Sequence, residues 1–214
     1  MSWSEEYRKT GKIWGERPGE LAIIALNFLK KHNMERKGLT LLDVGCGYGR
    51  DSIFFAKNMK CRVLGIDVSR EAIEMAKRSS PHENVRFLLC DFTKLRSREG
   101  FDIIFVSNLY HLLRREMRLA LRRMVMELLK PNGFLFLNAL SVRDPQHYGK
   151  GVPVPDEPNS FIDKVYMHFF TEEELRRDFE FLEIRELYEH EYYEHRAGGV
   201  VHHHVSWILI AERR

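Results

Sequence analysis

This chain has little glutamine, little cysteine and no long apolar run. Gln146 is the single glutamine in 214 residues, against 34 Lys and Arg and 31 Asp and Glu. The three cysteines, Cys46, Cys61 and Cys90, lie far apart in sequence. They form neither a metal spacing nor an even disulfide framework, which points to a reducing compartment. No apolar stretch approaches membrane-spanning length, and the polar opening 1–17 lacks the apolar core of a secretion signal. A cytoplasmic protein without membrane partners is expected. A net charge of +3 leaves no excess of one sign for a dedicated nucleic-acid surface. Internal repeats and low-complexity tracts are lacking as well.

What is present is an ordinary globular composition, 44% hydrophobic and 30% charged. The length suits one domain over 1–214 with a sizeable core. Leu41-Leu42-Asp43-Val44-Gly45-Cys46-Gly47-Tyr48-Gly49-Arg50-Asp51 is the most telling stretch. An apolar run breaks into three alternating glycines, and an amphipathic segment, 53–59, follows directly. The pattern predicts a buried strand, a tight glycine turn and a helix. Glycine lets another molecule approach the backbone closely. Open α/β sheets bind ligands at the carboxyl ends of their strands, where this turn lies.

A dinucleotide fits this turn poorly. The third glycine of the G-x-G-x-x-G fingerprint is replaced by Arg50, and Asp43 stands two residues before the first glycine. A carboxylate there disfavours a pyrophosphate and suits ammonium or sulfonium charge. This counts against a nicotinamide-dependent oxidoreductase. Further strand-like segments follow in order. Arg62 to Asp67 ends in an acid able to accept two ribose hydroxyls. Asn84 to Phe92 ends in Asp91-Phe92, and Phe101 to Asn108 runs into Leu109-Tyr110-His111. Leu128 to Leu137 carries a Lys-Pro-Asn-Gly turn between a helix end and a strand.

The acid before G-x-G-x-G, with these four segments behind it, resembles the class I S-adenosylmethionine (SAM) methyltransferases over about residues 40–140. The His168 to Leu175 segment and the His-rich ending resemble small stand-alone members of the tellurite-resistance and thiopurine-methylating type. The resemblance implies SAM as cofactor, S-adenosylhomocysteine as product, and a small-molecule methyl acceptor. It implies Asp43 near the methionine ammonium and Gly45, Cys46, Gly47 and Gly49 beneath the methionyl-ribose portion. Asp67 and Val68 would meet the ribose, Asp91 and Phe92 the adenine, and Ser107 the tip of the fourth strand. Alternatives are an RNA or protein methyltransferase, or a SAM-binding sensor or inert partner subunit. A monomer or a homodimer would serve equally.

Alternating strands (40–45, 62–67, 84–90, 101–107, 133–140) and helices (21–31, 49–59, one behind Ser69, 114–129) predict right-handed crossovers. The expected fold is a Rossmann-like three-layer αβα sandwich. Its sheet has seven mostly parallel strands and ends in an antiparallel hairpin, 181–190 with 201–211, turning at 197–199. Residues 1–20, with Trp3, Tyr7 and Trp14, read as an arm or lid. The Pro- and Gly-rich segment 142–165 reads as a loop or lid over the substrate side, carrying His147 and Tyr148. Tyr110 and His111 are candidate acceptor-pocket or catalytic groups, and so are His202 and His204, which share a strand face that excludes His203. No tightly bound metal is expected. Arg114, Arg115, Arg118, Arg122 and Arg123 read as the solvated face of a helix rather than an RNA site.

Overall fold

The structure is a computed structural model that describes residues 3–34, 38–79, 82–195, 199 and 201–214. Two helices, α1 (Trp3–Thr10) and α2 (Glu20–Lys31), precede β1 (Thr40–Val44). Then come α3 (Arg50–Asn58), β2 (Arg62–Asp67), α4 (Arg70–Ser79), β3 (Val85–Leu89) and β4 (Phe101–Val106). α5 (Arg115–Leu128) and β5 (Leu129–Leu140) complete the alternation. Three short strands follow, β6 (Val152–Pro153), β7 (Ser160–Ile162) and β8 (Tyr166–His168). The last elements are α6 (Glu172–Asp178), β9 (Glu183–His195) and β10 (Val201–Glu212). Among the described residues no helix is long and apolar enough to cross a membrane.

The main sheet runs β3-β2-β1-β4-β5-β10-β9, parallel from β3 to β5, with β10 antiparallel to both its neighbours. It is the expected seven-stranded Rossmann-like sheet. β1 is buried throughout, because helices cover both faces of a parallel sheet. Alternation along β5 divides the core: Phe134 and Phe136 pack with α2 and α3, while Leu135 and Leu137 pack with α5 and α6. The Ser69 hydroxyl accepts the Ala72 N–H and starts α4; the Thr171 hydroxyl accepts the Glu174 N–H and starts α6. From β1 the chain steps outward to β2 and β3, then returns to β4 on the other side of β1. That reversal opens a crevice at the carboxyl tips of β1 and β4.

Several sequence expectations change here. Segment 142–165 is not irregular throughout, since β6 and β7 lie within it and pair with β8 as a small antiparallel sheet. β5 begins at Leu129 and carries the Pro131-Asn132-Gly133 turn as an irregularity in its pairing with β4. The final hairpin strands are longer than expected, and of their expected turn at 197–199, residues 197 and 198 lie outside the described residues. β10 pairs with β5 only from Ser206 onward, so Val201 to Val205 overhang the sheet and pair with β9 alone. The arginine row is only partly a solvated face: Arg114, Arg115 and Arg123 are exposed, but Arg118 and Arg122 turn inward. Arg118 is buried, donating to the Leu113 carbonyl and the Tyr166 hydroxyl at 2.9 Å each. Arg122 pairs with Asp178, and Arg114 lies over the Tyr166 ring. Charges spent on internal partners are poorly placed to hold an RNA backbone.

Candidate active site

The tips of β1, β2 and β4 surround a cavity of about 240 Å³. Asp43, Gly45, Cys46, Gly47, Asp67, Val68, Asp91, Phe92 and Ser107, all expected from sequence, contribute to its wall. Gly45 and Gly47 have φ of +74° and +54°, a conformation that side chains resist. A Cβ on Gly47 would stand 2.7 Å from the Tyr7 hydroxyl, so the loop needs glycine where α1 lies over it.

Gly49 is expected beneath the ligand but stands outside this wall. It caps α3 at φ +80°, and a Cβ there would meet the Phe87 ring at 2.5 Å. Its role is helix-to-sheet packing. We expect Gly49→Ala to cost about 2–4 kcal/mol, the left-handed backbone penalty plus overpacking. Urea unfolding should show a lower midpoint at unchanged slope.

The carboxylates are held in different ways. Asp43 is 2% exposed and accepts a 2.5 Å hydrogen bond from the Ser52 hydroxyl. Burial pushes its pKa up to about 8, neighbouring Asp51 adds to the rise, and Ser52 opposes it. Asp67 accepts the Gly47 N–H at 2.9 Å through Oδ2 and the Ser69 N–H at 2.8 Å through Oδ1. Burial raises it as well, and those amides counteract the rise. Asp91 accepts from the amide and hydroxyl of Thr93 through Oδ1 alone. Cys46 is buried, and its thiol is pushed up by burial and then by Asp43, so it stays protonated and inert.

The N-terminal arm closes one side. Trp3, Tyr7, Trp14 and Tyr48 form a tilted and stacked aromatic group with centroids 6.1–6.4 Å apart. The Tyr48 hydroxyl donates to the Gly15 carbonyl at 2.7 Å and accepts the Trp14 N–H at 3.1 Å. Arg50, which displaced the third fingerprint glycine, donates to the Trp14 carbonyl at 2.9 Å. Opposite, Asn108 sits at φ +51° and exchanges two hydrogen bonds with buried Asn138 on β5. That pair fixes the tip of β4, and no local sequence signal announces it.

A second cavity, of about 290 Å³, adjoins the first; Trp3, Trp14, Asn108 and Leu112 border both. Three of the four candidate catalytic residues line it: His111, His202 and His204. Tyr110 does not, which corrects the expectation that it faces an acceptor. Its ring is fully buried, stacks on Phe170 at 5.0 Å, and donates its hydroxyl to Asp178 at 2.7 Å. The short 3-10 turn at Tyr110–Leu112 sends adjacent side chains to opposite sides, one to the core and one to the cavity. His111 Nδ1 is buried with no hydrogen-bond partner. Burial, with His204 nearby, lowers its pKa to about 3, so its ring is neutral. His203 points away and meets Glu191 at 2.6 Å, as the strand alternation requires. His147 and Glu194 also line the cavity, and Asp144 stands behind it, 3.0 Å from His204 Nδ1. No local pattern singles out Asp144.

The walls suit a positively charged nucleoside. Four acids, Asp43, Asp51, Asp67 and Asp91, against one base, Arg50, line the cavity around a glycine cradle that a Cβ would fill. Residues 41–133 match the family model of a methyltransferase domain. Cypemycin N-terminal methyltransferase of a Streptomyces species is 32% identical over 114 residues, 52% of this chain and 46% of that protein. Thiocyanate methyltransferase 1 of Brassica oleracea is 36% identical over 104 residues, 47% of this chain and 46% of that protein. The matches therefore span about half the length or less of these curated relatives. A SAM-dependent methyltransferase structure from Anabaena variabilis shares the fold, with a TM-score of 0.75 at 20% identity, covering 99% of this chain and 93% of that one. Motif order, sheet order and acidic crevice agree with these likenesses: over residues 41–133 the chain is similar to the methyltransferase domain family, and its sheet is that of SAM-dependent methyltransferase structures.

Proposed function

We propose that this chain moves a methyl group from SAM to a small molecule seated in the histidine-lined cavity. The observation that carries the reading is the junction of two cavities, an acidic one over the glycine loop and a histidine-lined one beside it. When bound, SAM supplies a methyl carbon on a sulfonium, already activated for in-line displacement. The protein's part is to align the acceptor and exclude water. Asp43 would face the ammonium side, and Asp67 would keep its two loop amides and add the ribose hydroxyls through its remaining lone pairs. Asp91 Oδ2 and Phe92 would frame the adenine. Trp3 and Trp14 would shield the junction. Neutral His111 is too weak a base to take a proton at neutral pH; it would orient the acceptor by a hydrogen bond.

A cavity of about 290 Å³ is the size of a small-molecule site and favours a small acceptor over a polymer. The internally paired Arg118 and Arg122 of α5 agree. One relative is named for thiocyanate, a small sulfur anion, which fits a soft acceptor. Calorimetry should show tight binding of SAM and none of NAD. A product screen over thiols, phenols, amines and chalcogen oxyanions should then return a methylated thiol or chalcogen. Binding of NAD in preference to SAM would overturn the reading. So would turnover confined to RNA or protein.

A further inference from the structure

We propose that His147, His202 and His204 form a binding site for one divalent transition metal of the zinc type, whose open position takes the ionised sulfur of a thiol acceptor. The metal half stands on these residues alone, and the thiol half rests on the methyl-transfer reading above. It reverses the expectation of no tightly bound metal. Sequence supplies two same-face imidazoles on β10; the fold brings in the third from the segment after β5.

Among the described residues, one ligating nitrogen from each of these histidines lies within 4.8 Å of the others. Zinc–nitrogen bonds of about 2.0–2.1 Å in a tetrahedron place ligand atoms about 3.3 Å apart, so modest side-chain rotation closes the set. The group also has the supporting layer that metal sites need. Asp144 Oδ2 lies 3.0 Å from His204 Nδ1, and the same oxygen accepts the Val205 N–H at 3.1 Å. Its other oxygen accepts the His147 N–H at 2.8 Å. One buried carboxylate thus orients one ligand and ties down the backbone of a second. With His204 donating from Nδ1 to Asp144, its Nε2 keeps the lone pair that would ligate, the usual carboxylate–histidine–metal arrangement.

Position gives the site its use. Three neutral imidazoles with an open fourth place are the donor set of catalytic rather than structural zinc. The cavity meets the cofactor crevice at Trp3, Trp14, Asn108 and Leu112. A thiol entering would coordinate as its anion and lose its proton to solvent, which makes the sulfur nucleophilic without a protein base. Glu194 Oε2, 3.9 Å from His204 Nε2, adds negative charge beside a dication.

The test uses the untagged full-length chain, stripped with chelator and dialysed against Co²⁺. One ion per chain is expected, with the visible band of tetrahedral cobalt. Adding 2-mercaptoethanol should then raise a sulfur-to-cobalt charge-transfer band. His204→Ala and His147→Ala should abolish stoichiometric retention, and Asp144→Asn should weaken it about 10–100-fold. His203→Ala, on the opposite face, should retain the ion. His147 lies on the covering segment, so its variant stays informative should His204→Ala fold poorly. No retention by wild type, or equal retention by His147→Ala, overturns the metal site. Retention without a charge-transfer band overturns the thiol. SAM calorimetry on the same preparations keeps the readings apart: SAM binding without cobalt retention sinks this inference alone, and cobalt retention without SAM binding sinks the function.

Discussion

Asp67→Ala should weaken SAM binding about 100-fold or more, seen by calorimetry as a shift from a sharp to a shallow isotherm. The carboxylate is expected to accept two ribose hydroxyls, and hydrogen bonds to a charged acceptor contribute about 1.5–3 kcal/mol each. Two of them amount to about 3–6 kcal/mol, of which part returns when the ribose is re-solvated. The side chain also holds the Gly47 and Ser69 amides, so its removal loosens the glycine loop and the start of α4 together. Asp67→Asn separates the two contributions. One acceptor oxygen survives, so the loop can keep one amide bond, while the charge and half of the ribose contacts are lost. An intermediate affinity is expected for Asn and the lowest for Ala. Unchanged affinity in both variants would remove the ribose from this place and the SAM reading with it.

The crevice was legible in sequence because its chemistry is local. Asp43, Asp67 and Asp91 each end a strand-like segment, and glycines mark the one turn where backbone must meet ligand. Strand alternation and parallel crossovers carried the rest of the sheet. Gly49 shows the limit of that reading. It belongs to the same motif, yet Phe87 from β3 occupies the space over it, and a partner so distant in sequence cannot be read from spacing. Tyr110 and His111 show a second limit. A short 3-10 turn decides which of two neighbours faces the cavity, and no period in the sequence encodes that.

The histidine cavity was only half legible. Strand alternation paired His202 with His204 and set His203 apart, and the structure keeps that separation. It could not reveal that β10 overhangs β5, because strand lengths depend on pairing rather than local preference. The overhang lets the chain after Leu140 turn beneath the hairpin, where the Ser141 N–H meets the Val205 carbonyl at 3.0 Å. That turn delivers Asp144 and His147. Arg118 and Arg122 depart from the expected solvated face for a related reason. Helical spacing gave their alignment but not the arrival of Tyr166 and Asp178 against them.

SAM binding near pH 7 should release close to one proton, and Asp43→Asn should abolish that release. In the free protein the Asp43 pKa stands at about 8, against 3.8 for an ordinary aspartate, chiefly through burial. Between those values the unfolded chain is ionised there and the folded chain is not. The folded state thus binds the extra proton, and stability falls as pH rises from about 4, levelling off above about 8. At about 1.4 kcal/mol per unit, the loss over that window is on the order of 5 kcal/mol. Asp43→Asn should flatten this decline, making the free variant more resistant to urea than wild type at pH 8. Ligand binding works the other way. A cation beside Asp43 stabilises the carboxylate, so the proton leaves as SAM enters, and affinity rises up to about tenfold per pH unit until it levels near pH 8. Calorimetry in buffers of different ionisation enthalpy counts the protons directly. The wild-type count should approach one at pH 6–7 and fade above pH 8, while the Asn variant binds more weakly and lacks the Asp43 share. Equal counts in the two proteins would mean that the buried acid does not meet the ligand's positive charge. The crevice would then owe its acidity to something other than its ligand.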